Sequence, residues 1–164
     1  MPLEIVEHWQ DFFLGEAGAA AALLGLLVVA ITINLDRLLE FPWLPGRAAE
    51  TIGIMLNTLI IVSLGLIPMG STTMYGICVL VIGGLAWLLI LVGQLRSERS
   101  PREGVHQNLT TRIVMTQIAT LPFVIAGVLI LVGHGGVYWI AVGTFTSFSI
   151  ALANAWVLMV EIRR

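Results

Sequence analysis

Three carboxylic acids, Glu16, Glu50 and Glu161, stand within or at the edges of long apolar stretches. An ionised side chain in such surroundings costs about 2.5–3.5 kcal/mol on insertion scales, which marks it as a functional candidate. Two of the three belong to polar stripes. Glu50, Gly53 and Asn57 return to one side of a helix, as do Thr144, Ser147, Ala151, Asn154, Leu158 and Glu161. Arg112, Thr116, Gln117 and Thr120 add polar groups at a similar depth, and Thr32 and Asn34 add two more. Asn34, Glu50, Asn57, Gln117, Ser147, Asn154 and Glu161 thus form one expected cluster, with Arg47 and Arg112 as counter-charges. Its chemistry would be ion handling. The carboxylates attract a cation, and the amides of Asn57 and Asn154 replace its water ligands. The same side chains also suit interhelical hydrogen bonding, worth about 0.6–2 kcal/mol each, and Glu50 suits the start of a helix, where the macrodipole favours an acid.

Other chemistries find no footing. No glycine loop is built to cradle phosphate, and no His/Cys/Asp/Glu group has metal-ligand spacing. His8, His106 and His134 are far apart and fall in connections, so Ser63, Ser147 and Ser149 have no histidine placed to act as base. The single cysteine, Cys78, lies in an apolar run and cannot form an internal disulfide. Arginines do not repeat within an apolar stretch, as a voltage sensor requires. The expectation is a non-enzyme without cofactor, metal or nucleic-acid partner.

The elements that must carry these residues follow from composition. The chain is 58% hydrophobic and 11% charged, against about 45–50% and roughly 25% in soluble domains. Lipid is the expected solvent, and residues 1–164 form a single transmembrane domain. A spanning helix needs about 20 apolar residues. Five candidates appear: Phe13–Ile33, Ala48–Met69, Thr73–Leu95, Arg112–Val132 and Val137–Val160. All eight positive charges are arginines, at positions 37, 47, 96, 99, 102, 112, 163 and 164. Alternate connections carry them, while Gly70-Ser71-Thr72 and Gly133-His134-Gly135-Gly136 carry none. Cytoplasmic segments retain Lys and Arg, so the expected N-terminus is outside and the C-terminus cytoplasmic. Trp9, Tyr75, Tyr138 and Trp139 then mark the outer surface, and Trp43 and Trp156 the inner one, with Trp87 deeper as a packing residue.

Glycines at both outer connections predict two tight hairpins, spans two and three and spans four and five, whose common sense suggests a weak parallel repeat. The first sixteen residues hold four acids and no Lys or Arg, unlike a signal peptide. Leu3, Val6, Trp9 and Phe13 recur at helical spacing, predicting a short amphipathic helix over Pro2–Phe13 on the outer surface. Phe41-Pro42-Trp43-Leu44-Pro45-Gly46 reads as a stiff interfacial corner. The mixed-charge connection Arg96–Gly104 reads as a solvated loop. Gly18, Ala21, Ala22 and Gly25 have small-xxx-small spacing and predict a helix-contact face, within the bundle or between protomers.

The stretches Ile31–Arg37 and Phe41–Ala48, with Leu121-Pro122-Phe123 and Asn154-Ala155-Trp156, resemble a family of small bacterial inner-membrane proteins without an assigned activity. The resemblance implies a bacterial inner-membrane address and no catalytic residues. The expectation taken forward is an all-α bundle of five spans. It would act as an oligomeric channel or carrier for a small ion, in the first instance a cation, with a polar vestibule on the cytoplasmic side. The other expectation is a non-catalytic accessory subunit of a larger membrane complex. A periplasmic-active reporter fused at the N-terminus should be active and a cytosol-active one silent; the reverse pattern would invert the whole threading.

Overall fold

A computed structural model describes residues 9–40, 44–98 and 109–160. These residues form six helices: α1 (Gln10–Ile33), α2 (Leu35–Glu40), α3 (Leu44–Leu64), α4 (Thr72–Glu98), α5 (Leu109–Val132) and α6 (Val137–Val160). No strand occurs among the described residues. All but α2 are long and apolar enough to cross a membrane, which makes this a multi-pass membrane protein with five candidate spans. At about 1.5 Å per residue, the 24 residues of α1 reach about 36 Å, more than a typical hydrocarbon core. Large apolar side chains face outward all round the bundle, Leu14, Val81, Leu89 and Leu152 among them. Such a perimeter suits lipid and would be anomalous in water.

The fifth span matches its sequence expectation end to end, and the others differ at their ends for identifiable reasons. The first span starts at Gln10, so Gln10–Phe13 continue the spanning helix and are not part of a separate interfacial one. Residues 2–8 of that expected segment lie outside the described residues, as do Trp43, the loop 99–108 and Glu161. The second span begins at Leu44, so Leu44-Pro45-Gly46 form its first turn and not a corner. Proline is tolerated there because first-turn N–H groups have no intrahelical partner to lose. The same helix stops at Leu64, short of the expected Met69. Gly65 lies against Phe13 so closely that a Cβ would stand 2.6 Å from the ring, and Pro68 disfavours helix in the residue before it. The connection between α3 and α4 is therefore residues 65–71 and longer than expected. The fourth span begins at Leu109 and the third extends to Glu98.

Helix α3 is central and packs against α1, α4, α5 and α6. Glycines set the closest approach, which is between α4 and α5. A Cβ on Gly127 would stand 2.7 Å from the Leu80 backbone, one on Gly76 2.8 Å from Ile130, and one on Gly83 3.2 Å from Phe123. Backbones come this near only where side chains are missing, and dispersion contacts then accumulate along both helices. By contrast, Gly18, Ala21, Ala22 and Gly25 are exposed, and a Cβ on Gly18 or Gly25 would meet nothing. Among the described residues the small-residue face of α1 therefore packs against no other helix.

Two devices satisfy the backbone where these helices break. At the end of α5, Gly133 takes φ 80°. The N–H of His134 bonds the Leu129 carbonyl at 2.9 Å and that of Gly133 the Ile130 carbonyl at 3.2 Å, a Schellman motif that turns the chain into α6. Within α5, Pro122 has no N–H for the Ile118 carbonyl. Thr146 Oγ1 of α6 lies 3.1 Å from that carbonyl, and Ser147 Oγ donates to the neighbouring Ala119 carbonyl at 3.2 Å. A hydroxyl of the adjacent helix thus lies beside the one carbonyl that the proline leaves without its N–H, and a second bonds the carbonyl next to it.

One half of the interior is a packed apolar core of Phe13, Ile61, Val62, Tyr75, Val79, Phe123, Ile130 and Ile140. Trp9 stacks edge-on to Tyr138 at 4.9 Å and ties the start of α1 to the start of α6. The described arginines lie at the opposite end. Gly127→Ala should destabilise the folded protein by about 1–3 kcal/mol through overpacking. Gly18→Ala should be neutral or stabilise by up to about 1 kcal/mol through helix propensity. Chemical denaturation of the two variants in the same micelles checks the contrast.

Candidate functional site

The polar groups of four helices converge at the arginine-bearing end. Helix α3 enters it with Arg47, Glu50 and Thr51 in its first two turns, all on faces turned to neighbouring helices. Helix α5 starts there with Arg112 and Thr116, helix α4 ends there with Gln94, and helix α6 brings Asn154. Each helix is apolar along most of its length, so its few polar positions at this end meet one another and not lipid.

Two linked groups result. In the first, Arg112 grips Glu50 with both arms of a fork: Nε donates to Oε2 at 2.9 Å and Nη2 contacts Oε1. Planar, bidentate pairing of this kind is what guanidinium does best with a carboxylate. Gln94 is fully buried, and its Nε2 donates to Thr116 Oγ1 at 3.0 Å and to Glu50 Oε2 at 3.4 Å. In the second, Arg47 Nη2 donates to Asn154 Oδ1 at 3.0 Å, and Asn154 Nδ2 donates to Thr51 Oγ1 at 2.9 Å. The amide of Asn154 thus uses both its acceptor and its donor to join α6 to α3. The Glu50–Arg112 pair is half-buried, with 15% and 21% of the side chains exposed, so solvent screens it only in part.

Between these groups lies a cleft of about 220 Å³ bounded by Arg47, Glu50, Arg112, Thr116 and Asn154, with Ile54 among its apolar walls. It has room for a dehydrated or partly hydrated small ion. Its charged lining lies at one end of the bundle only. The apolar core around Phe123, Ile61 and Ile140 occupies the other half.

The expected site residues separate into those the fold joins and those it does not. Glu50, Arg112, Arg47 and Asn154 come together. Gln117 faces away toward α4, where its Oε1 accepts the Trp87 indole N–H at 2.6 Å. Trp87 is therefore the packing residue expected, with Gln117 as its partner. Asn34 lies at the joint between α1 and α2, and its side-chain amide donates to its own helix at the Ala30 carbonyl, 2.9 Å away. Ser147 is buried on the α5 backbone, as described above. Thr144 bonds the Ile140 carbonyl of its own helix at 2.9 Å. The described part of the α6 stripe, from Thr144 to Asn154, therefore meets α3 and α5 as a helix contact. Asn57 is 3% exposed, and neither atom of its side-chain amide has a hydrogen-bond partner. Glu16 is half-buried on α1, with one carboxylate oxygen buried and unpartnered. Among the described residues no group of His, Cys, Asp or Glu could hold a metal ion.

Two members were missed from sequence. Gln94 falls near the end of the third expected span with no role read for it, although it follows Trp87 by two helical turns inside a continuous apolar run. Thr51 follows Arg47 by one turn on α3, and that spacing was the available signal.

Compared with family models, curated proteins and solved structures, the chain shows no significant match.

Gln94→Leu should cost about 1–3 kcal/mol, because the change strips hydrogen bonds from buried Thr116 and half-buried Glu50. Gln117→Leu should cost about 1 kcal/mol or less, since one hydrogen bond is lost away from any ion pair. Equilibrium unfolding in detergent measures both.

Proposed function

We propose that the protein is a carrier for a small cation. In this reading it resides in a bacterial inner membrane with the N-terminus outside, the C-terminus cytoplasmic and the arginine-bearing end facing the cytoplasm. The observation that carries it is the one-sided cleft at Glu50, closed toward the other surface by packed apolar side chains. A channel needs a continuous wet path, whereas a carrier needs a site open to one side at a time. In this reading Arg112 is a tethered stand-in for the transported ion. Its guanidinium holds Glu50 at rest, and an entering cation takes the carboxylate while Arg112 swings to solvent. Asn154 and Thr51 supply neutral oxygen atoms at the cleft wall. Both hairpins, α3–α4 and α5–α6, run in the same sense, so rocking of one against the other would open the opposite side.

The exposed Gly18, Ala21, Ala22 and Gly25 face favours assembly. It accommodates a helix from a second copy or, in the other reading, from an unrelated membrane complex to which this chain is a non-catalytic accessory. Gentle affinity purification separates the two: a symmetric self-assembly supports the carrier, and a stoichiometric unrelated partner supports the accessory subunit.

Liposomes containing the purified protein should take up a monovalent cation faster than empty ones, with Glu50→Gln reducing the rate at least tenfold. Asn154→Leu should reduce flux with assembly intact. Uptake equal to that of empty liposomes across a panel of cations and pH values would exclude the carrier, and loss of assembly in Asn154→Leu would assign that residue to packing.

A further inference from the structure

A second cleft lies at the opposite end of the bundle, away from the arginines. Its volume is about 300 Å³, and it is formed by the connection 65–71, the start of α4, and Gln10 of α1. Helix α4 opens onto it with Thr72 and Tyr75. This is the longest helix among the described residues, at 27, and the N–H groups of its first turn have no intrahelical acceptor. The positive end of its dipole is directed to the same place.

The side chains there are unusual for the interior of a membrane protein. Tyr75 is 3% exposed, lines the cleft, and its hydroxyl has no hydrogen-bond partner. Its ring is fixed edge-on to Phe13 at 6.2 Å. The hydroxyl of Thr72 is buried and likewise without a partner. A buried hydroxyl with nothing to bond is unfavourable, and phenylalanine would fill the same space at no such cost. Two orphan O–H donors beside a helix N-terminus form a set of donors without an acceptor. The group that completes such a set has several acceptor oxygens and negative charge. Asp11 is exposed beside Gln10 and does not line the cleft. Leu66 and Ile67 are exposed at its rim, so an apolar tail could lie there while a headgroup enters.

We propose that this cleft binds a phosphate group, with Tyr75 Oη, Thr72 Oγ1 and the first-turn amides of α4 as donors. The phosphate belongs either to a phospholipid headgroup or to free inorganic phosphate. The site is separate from the Glu50 cleft and stands or falls without it.

Thermal unfolding of the purified protein in a neutral, phosphate-free detergent tests the proposal. The probes are inorganic phosphate, dihexanoyl phosphatidylglycerol, and dihexanoylglycerol, which has the same tails without phosphate. Stabilisation by inorganic phosphate alone identifies the free anion. Stabilisation by the phospholipid but not by the phosphate-free lipid identifies a headgroup. In either case Tyr75→Phe should weaken the apparent affinity about tenfold, while its ligand-free melting temperature equals or exceeds that of the original protein. Thr72→Val serves as the second variant should Tyr75→Phe fail to fold, with a similar loss expected. No shift with either phosphate probe, an equal shift with the phosphate-free lipid, or full affinity in both variants would overturn the proposal and leave water as the partner of the two hydroxyls.

Discussion

A polar group taken out of water must find a partner, and in this chain that rule is met chiefly at one end. Four helices that are apolar for most of their length each bring a few polar side chains to the arginine-bearing end. Arg112 with Glu50, and Asn154 with Arg47 and Thr51, close the circuit there. Apolar contact alone discriminates poorly between helix registers in lipid, because lipid tails are as apolar as the side chains. Hydrogen bonds between specific atoms discriminate well. A shift of α5 by one residue along α3 would separate Arg112 from Glu50 and Thr116 from Gln94 together. The cluster therefore sets register, and the cleft it encloses follows from the same contacts.

The rest of the bundle is organised by what is missing as much as by what is present. Gly76, Gly83 and Gly127 let α4 and α5 meet at backbone distance. Pro122 opens the α5 ladder, and α6 answers with Thr146 and Ser147. Both devices act far from the ion pairs, so α5 is tied to its neighbours independently at each level.

The number of spans and the exact ends of α6 were legible in the sequence, because long apolar runs bounded by glycine have few alternatives in lipid. The grouping of Glu50, Arg47, Arg112 and Asn154 was legible too, since each sits a turn or two from the same end of its span. What could not be read was pairing. Gln117 and Gln94 lie on adjacent helices at similar depth, yet one bonds Trp87 and the other joins Glu50; rotation of each helix about its axis decides this, and single-helix periodicity does not report it. Likewise, small-residue spacing on α1 does not say whether the face meets a helix of the same chain, and among the described residues it does not. Glycines that do approach a neighbouring helix include Gly76, Gly83 and Gly127 on α4 and α5, where seven-residue spacing from Gly76 to Gly83 was the weaker visible signal. Proline breaks helices in their interior, which makes Pro45 resemble a corner in the sequence, whereas it occupies a first turn.

The register of α5 against α3 and the cleft between them both rest on the Glu50–Arg112 pair being a partnership of opposite charges and not a coincidence of position. Charge reversal measures this directly. Glu50→Arg and Arg112→Glu, made singly, should each destabilise the protein by about 3–5 kcal/mol, because each leaves two like charges together at a half-buried site. The double variant should recover most of that loss, a coupling visible in a double-mutant cycle of unfolding free energies in micelles. Additive losses in the double variant, or single variants as stable as the original, would contradict the account.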